Sequence, residues 1–175
     1  MSYLPSLSSP ATLNDISRAF PESYAALSEY HEIVMRGPSP FSPGERELIA
    51  AHVSRLNGCA YCIGIHDRCA VLLGIDAALI EGLPGSIDGP GMPERLRPVM
   101  RYAGKLTCDP SGVTRADADA VYDAGWSEDA LYALVSVVAC YNLYNRLVSG
   151  LDLGADEAYL DDAAERLTRA ARKAG

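Results

Sequence analysis

The stretch Glu47-Leu-Ile-Ala-Ala-His52-Val-Ser-Arg-Leu56-Asn57-Gly58-Cys59-Ala-Tyr61-Cys62-Ile-Gly-Ile-His66-Asp-Arg-Cys69 decides how the rest of the chain is read. Asn57 and Gly58 both tolerate the left-handed backbone that ends a helix, so the run divides into one helix closing at Leu56 and another opened by Cys59. Leu48, Ile49, His52, Val53 and Leu56 recur at helical spacing in the first, with Glu47 beside the stripe. In the second, Ile63, Ile65, Ala70, Val71 and Leu72 turn inward, and Gly74 ends it.

Working outward, the same signals repeat. Gly37 to Gly44 is a loop by composition that feeds a helix start, in which Ser42 caps, Pro43 takes the first position and Glu45 completes a capping box. Upstream, residues 12–20 read as a short helix and Pro21 opens a longer one to about Met35. Downstream, Asp76 to Glu81 makes a short turn, and the Gly- and Pro-rich segment 83–93 is a loop near the thiols. Pro93 opens a helix carrying Leu96, Val99, Met100, Ala103 and Leu106, and Thr114 caps another that Gly125 stops. Ser127 caps the longest apolar helix, 129–148, in which Ser136, Asn142, Asn145 and Arg146 interrupt what would otherwise suit a membrane. Buried polar groups need partners, so these asparagines and Arg146 are expected to tie neighbouring helices or subunits together. Residues 155–173 form an amphipathic surface helix.

No segment alternates apolar and polar residues long enough for a sheet. The expectation is an all-α helical bundle: one domain over residues 1–175, with a redox core at about 43–74, N-terminal helices at 12–36 and a C-terminal helix at 155–173. With 23 acidic against 15 basic residues the net charge is -8, which argues against nucleic acid and anionic membranes as partners. Five cysteines, two of them in a C-x-x-C, do not form a secreted disulfide framework. The first residues lack a basic and then apolar leader, so the expected location is the cytoplasm.

The chemistry concentrates at the second helix start. A cysteine there faces unpaired backbone N–H groups and the positive end of the helix dipole, which favour thiolate over thiol. Cys59 and Cys62 are spaced to close a disulfide, and His66, one turn beyond Cys62 on the same face, is placed to take its proton. If the two helices pack antiparallel about Asn57-Gly58, the Glu47 carboxylate orients that imidazole and stabilises its protonated form. A C-x-x-C opening a helix also suggests thioredoxin, but a thioredoxin needs a preceding strand, and here a helix precedes it.

The order Glu47, Cys59-x-x-Cys62, His66 resembles the AhpD-like alkylhydroperoxidase branch of the carboxymuconolactone decarboxylase superfamily, and the likeness to its peroxidase-related members extends more loosely over most of the chain. The resemblance implies a thiol-dependent peroxidase acting on a small hydroperoxide. In it Cys62 attacks and passes through a sulfenic acid, Cys59 protonates the leaving group and then resolves the disulfide, and Glu47 with His66 relays protons. It implies a homo-oligomer, trimer or hexamer. Turnover needs an external dithiol reductant protein, and nothing points to a bound organic cofactor. Tyr61 departs from the pattern, since the best-known members carry a second His there.

Other readings stay open. The same cysteines suit an oligomeric redox-sensing or metal-binding protein, or a general disulfide oxidoreductase. Cys59, Cys62, His66 and Cys69 resemble a zinc set on paper, yet Cys59 and Cys69 are separated by about 15 Å of helical rise, too far for one ion. Decarboxylation, which gives the superfamily its name, needs no thiol pair. Cys69, Cys108 and Cys140 are expected to be small buried residues, and His31 and His52 surface or satisfied helix histidines.

Overall fold

The computed structural model describes residues 2–7, 9–83, 87–89 and 91–173, and every regular element in them is a helix, so the all-α expectation holds. In chain order they are α1 (Leu13–Ala19), α2 (Pro21–Arg36), α3 (Pro43–Leu56), α4 (Ala60–Leu72), α5 (Ala77–Gly82), α6 (Arg97–Cys108), α7 (Arg115–Asp123), α8 (Glu128–Gly150) and α9 (Glu157–Lys173). Local chemistry sets the starts. The Ser42 hydroxyl accepts from the Glu45 N–H while the Glu45 carboxylate accepts from the Ser42 N–H, which leaves fewer unpaired donors in the first turn of α3. The Asp76 and Ser127 side chains cap α5 and α8 by accepting from the Ala78 and Ala130 N–H, and Thr12 and Thr114 head capping boxes. One start differs from expectation. Pro93 heads a 3-10 turn, Glu94–Leu96, and α6 begins only at Arg97, with Pro98 in the first turn where its missing N–H costs nothing.

α3 and α4 form an antiparallel hairpin about Asn57-Gly58, with Gly58 at φ +66°. At the open end of the hairpin the Leu73 carbonyl approaches Gly44 so closely that a Cβ there would lie 2.8 Å from it. Arg55 spans the pair with a two-pronged contact to Asp67 at 2.7 and 2.6 Å. α6 and α8 cover α3, and as a result α3 is buried on nearly every side, its polar residues included. Each of those must find partners. Arg46, for example, donates to the carbonyls of Val34 and Gly37 at 3.1 and 2.8 Å.

Two apolar clusters meet at this hairpin. The larger joins α2, α3, α6, α7 and α8 around Leu48, Val99, Leu134 and Tyr141. The smaller joins α1, the start of α4, the end of α8 and α9, and contains both Cys59 and Cys62. α8 has the length and apolarity of a membrane span, but it serves both clusters, burying Leu134, Val137, Val138, Tyr141 and Val148 while Tyr132 and Leu143 face outward. Within the 83–93 loop, residues 84–86 and 90 lie outside the described residues, whereas Leu83 and Met92 are buried against the larger core. Cys69 and Cys140 are buried as expected; Cys108, the last residue of α6, is exposed, because its position at the helix end faces away from both clusters.

Candidate active site

Cys59 occupies the N-cap of α4, one residue before the first turn, and Cys62 lies within that turn. The two sulfurs are 2.9 Å apart and both residues are 2% exposed. A hydrogen bond from Cys62 lowers the Cys59 thiol to about 7; burial opposes this, and the Cys62 backbone N–H, the Asn145 amide and the Ser149 hydroxyl add to the lowering. Cys62 moves the opposite way, pushed up by its bond to Cys59 and by burial. The pair therefore gives up its first proton at about 7 and keeps the second, a property of the pair rather than of either residue. The packing favours thiolate character at Cys59, at the helix end, whereas the family resemblance implies Cys62 as the attacking sulfur. Access distinguishes them: Cys62 lines a cavity of about 220 Å³ and Cys59 is not among its walls.

One turn along α4, His66 also lines this cavity, and its Nδ1 lies 2.6 Å from Oε2 of Glu47 on α3. The antiparallel hairpin supplies the contact that spacing alone left conditional. Burial by itself pushes the Glu47 carboxyl up, but His66 and Arg36 outweigh it and hold it at about 2. Arg36 is a participant that sequence reasoning missed. The last residue of α2, it donates from Nη2 to Glu47 Oε1 at 2.5 Å, so both carboxylate oxygens are engaged within the core. Nothing local in the sequence marks it; only the return of the chain through residues 37–42 brings α2 against α3. Among the described residues no hydrogen bond joins His66 to Cys62. The two pairs, Cys59 with Cys62 and Glu47 with His66, share the cavity rather than a direct bond.

The remaining wall is unexpectedly phenolic. Tyr24, Tyr61, Tyr141, Tyr144 and Tyr159, five of the ten tyrosines in the chain, line it together with His31. The Tyr61 hydroxyl donates to that of Tyr159 at 3.0 Å and accepts from the Leu13 N–H at 3.4 Å, so it faces α1 and α9. His31, read from sequence as a surface or satisfied histidine, is buried with Nε2 3.0 Å from the Tyr141 hydroxyl. By contrast His52 is buried between α3 and α6, away from this wall, and burial lowers it to about 4.

The four residues of the paper zinc set do not converge. Among the described residues, the side chains at metal-ligand spacing are Glu47, His66 and Cys69, within 4.8 Å of one another. The cation that Glu47 meets there is the Arg36 guanidinium, and burial pushes the Cys69 thiol up, away from the thiolate that a metal needs. Asn142 and Asn145 tie α8 to the hairpin as expected, whereas Arg146 bonds only within α8. Asn57 donates to both asparagine side chains at 3.1 and 2.9 Å, Asn145 donates to Ser54 at 3.1 Å, and Arg146 donates to Asn142 at 2.7 Å.

The helical bundle thus buries a dithiol at a helix start, beside a cavity shared with a Glu–His pair. Residues 21–82 match the carboxymuconolactone decarboxylase family. The fold superposes on an uncharacterized peroxidase-related protein from Silicibacter sp. TM1040, at 26% identity over 83% of this chain and 78% of that one, with a TM-score of 0.77. It also superposes on an AhpD-core, peroxidase-related protein from Ralstonia eutropha JMP134 (20% identity, 85% and 78% covered, TM-score 0.79). A third similar structure is the debrominase Bmp8 in complex with 2,3,4-tribromopyrrole (14% identity, 86% and 79% covered, TM-score 0.72). A search of curated proteins gives no match. Over residues 21–82 the chain is thus similar to the carboxymuconolactone decarboxylase family, and its helical fold is that of the AhpD-like, peroxidase-related structures.

Proposed function

We propose that this protein is a thiol peroxidase that reduces small hydroperoxides through a Cys59–Cys62 dithiol–disulfide cycle. The observation that carries this reading is the position of the Cys62 sulfur on the cavity wall, 2.9 Å from a second sulfur whose thiol is lowered to about 7. Cys62 becomes the thiolate when its proton moves to Cys59, while His66, steadied by Glu47, stands on the same wall to relay protons. Cys62 then attacks the outer peroxide oxygen, giving a Cys62 sulfenic acid and an alcohol. Cys59 attacks the sulfenic sulfur, forming the disulfide and releasing water. The bond length of a disulfide is about 2.05 Å, so closing it from 2.9 Å requires little movement. An external dithiol protein then reduces the disulfide, with the protein acting in the cytoplasm as a homo-oligomer.

The test is a rapid mix of reduced protein with tert-butyl hydroperoxide, with thiol loss followed by mass spectrometry in wild type, Cys59→Ser and Cys62→Ser. Expected are a Cys59–Cys62 disulfide, a trappable sulfenic acid on Cys62, and no fast reaction, respectively. Thiol loss no faster than that of free cysteine would overturn the peroxidase reading and turn attention to metal content and protein disulfides.

The phenolic wall favours one second reading, thiol chemistry on a planar aromatic substrate, in keeping with the ring bound by the debrominase. Bromide release from 2,3,4-tribromopyrrole, with hydroperoxides left untouched, would select it.

A further inference from the structure

The peroxidase reading leaves the proton for the departing oxygen unassigned in space, because Cys59 is not on the cavity wall where that oxygen would sit. Several groups on the wall carry a proton, and their bonds separate them. Tyr61 gives its hydrogen to Tyr159, and the Tyr144 hydroxyl is turned to the Leu27 carbonyl at 3.5 Å. His66 has its Nδ1 committed to the Glu47 carboxylate at 2.6 Å. Tyr141 is different. Its ring meets that of His66 edge-on at 4.4 Å, its hydroxyl lies 3.0 Å from His31 Nε2, and His31 Nδ1 in turn lies 3.7 Å from the Glu32 carboxylate. Tyr141, His31 and Glu32 all line the cavity with Cys62.

We propose that the Tyr141 hydroxyl, backed by His31, is the acid that protonates the oxygen expelled when Cys62 opens the peroxide bond. This rests on the peroxidase reading. The sulfur–oxygen bond forms as the oxygen–oxygen bond breaks; sulfur loses two electrons and the peroxide gains them. The alkoxide takes the phenolic proton, and the tyrosine oxygen recovers one from His31 Nε2–H as Nδ1, beside the exposed Glu32 carboxylate, takes one from solvent. Burial holds the Tyr141 hydroxyl well above its ordinary value, so a lasting phenolate is unfavourable there and a proton supply directly behind it is required. In this arrangement α8 provides the acid, Tyr141, α2 the proton supply behind it through His31, and α4 the nucleophile.

The experiment compares two oxidants on the full chain. With tert-butyl hydroperoxide the leaving group is an alkoxide that needs a proton; with peracetic acid it is a carboxylate that does not. Single-turnover oxidation of Cys62 is measured in wild type, Tyr141→Phe and His31→Gln, whose amide keeps a donor near the phenol but cannot pass on a proton. The expected result is a loss of about 100-fold with the hydroperoxide in both variants and of less than about threefold with the peracid. Equal losses with both oxidants, or none, would overturn the assignment, since a merely structural role cannot tell the leaving groups apart. Should Tyr141→Phe fail to fold, the same ratio in His31→Gln decides. Wild type inert to both oxidants removes the peroxidase reading itself; an active wild type with an unchanged ratio in the variants removes only the Tyr141 assignment.

Discussion

Glu47 Oε2 and His66 Nδ1 lie 2.6 Å apart across the α3–α4 interface, although the residues are 19 apart in sequence. That contact, with Arg36 on the other carboxylate oxygen, makes a buried cation–carboxylate–imidazole line running from the end of α2 to the cavity wall. A charged group in a core persists only when its partners are fixed, so the line sets the orientation of the imidazole as the helices pack.

Replacing Glu47 by Gln strands the Arg36 guanidinium in the core. The expected cost is about 3–5 kcal/mol, read as a lower urea midpoint. The difference from wild type should depend on pH. The folded carboxyl is held at about 2, below its unfolded value of about 4.3, so its contribution is full above the unfolded value and is lost as pH falls through the folded one. The gap between Glu47→Gln and wild type should stay constant from neutrality to about pH 5 and narrow toward pH 2. A gap unchanged at low pH would contradict the ion triad.

Thiolate absorbance or iodoacetamide alkylation of the reduced protein should rise with an inflection at about 7, carried by Cys59. The bond from Cys62 is the first cause of that lowering, so Cys62→Ala should move the inflection of the remaining thiol upward, toward the ordinary value of about 8.5. An inflection that stays put would show that the helix terminus, not the second sulfur, sets it.

Asn145 links α8 to Ser54 and Asn57 of the hairpin and its amide faces Cys59. Asn145→Ala removes two buried hydrogen bonds, with an expected cost of about 1–3 kcal/mol. It should also raise the Cys59 inflection, because one of the groups favouring the thiolate is gone. Loss of stability without a change in the thiol titration would limit Asn145 to its structural role.

At the open end of the hairpin, Gly44→Ala places a methyl 2.8 Å from the Leu73 carbonyl, a backbone atom that cannot turn aside. Separation of α3 from α4 should follow, destabilising by about 1–3 kcal/mol. Gly64→Ala meets Leu160 Cδ1 at 2.7 Å instead, the tip of a flexible side chain, and should cost less. Thermal melts of the two variants give the order directly.

The sequence alone determined the helices and the dithiol. Caps such as Ser42 and Thr114, the Asn57-Gly58 break, helical spacing and the absence of alternating runs are local signals, and local signals suffice to specify α-helices because their hydrogen bonds close within a few residues. The positions of Cys59, Cys62 and His66 along one helix follow from the same geometry. Tertiary structure decided what surrounds them. Arg36 reaches Glu47 only because α2 folds back on α3, and His31 meets Tyr141 only because α2 packs on α8, a contact between residues 110 apart. Neither residue is marked by its own neighbours in sequence, since an arginine at a helix end and a histidine within a helix are each ordinary there. What distinguishes the two sulfurs was decided by packing as well: Cys59 gains the Ser149 hydroxyl of α8 at its helix cap, and Cys62 gains the cavity.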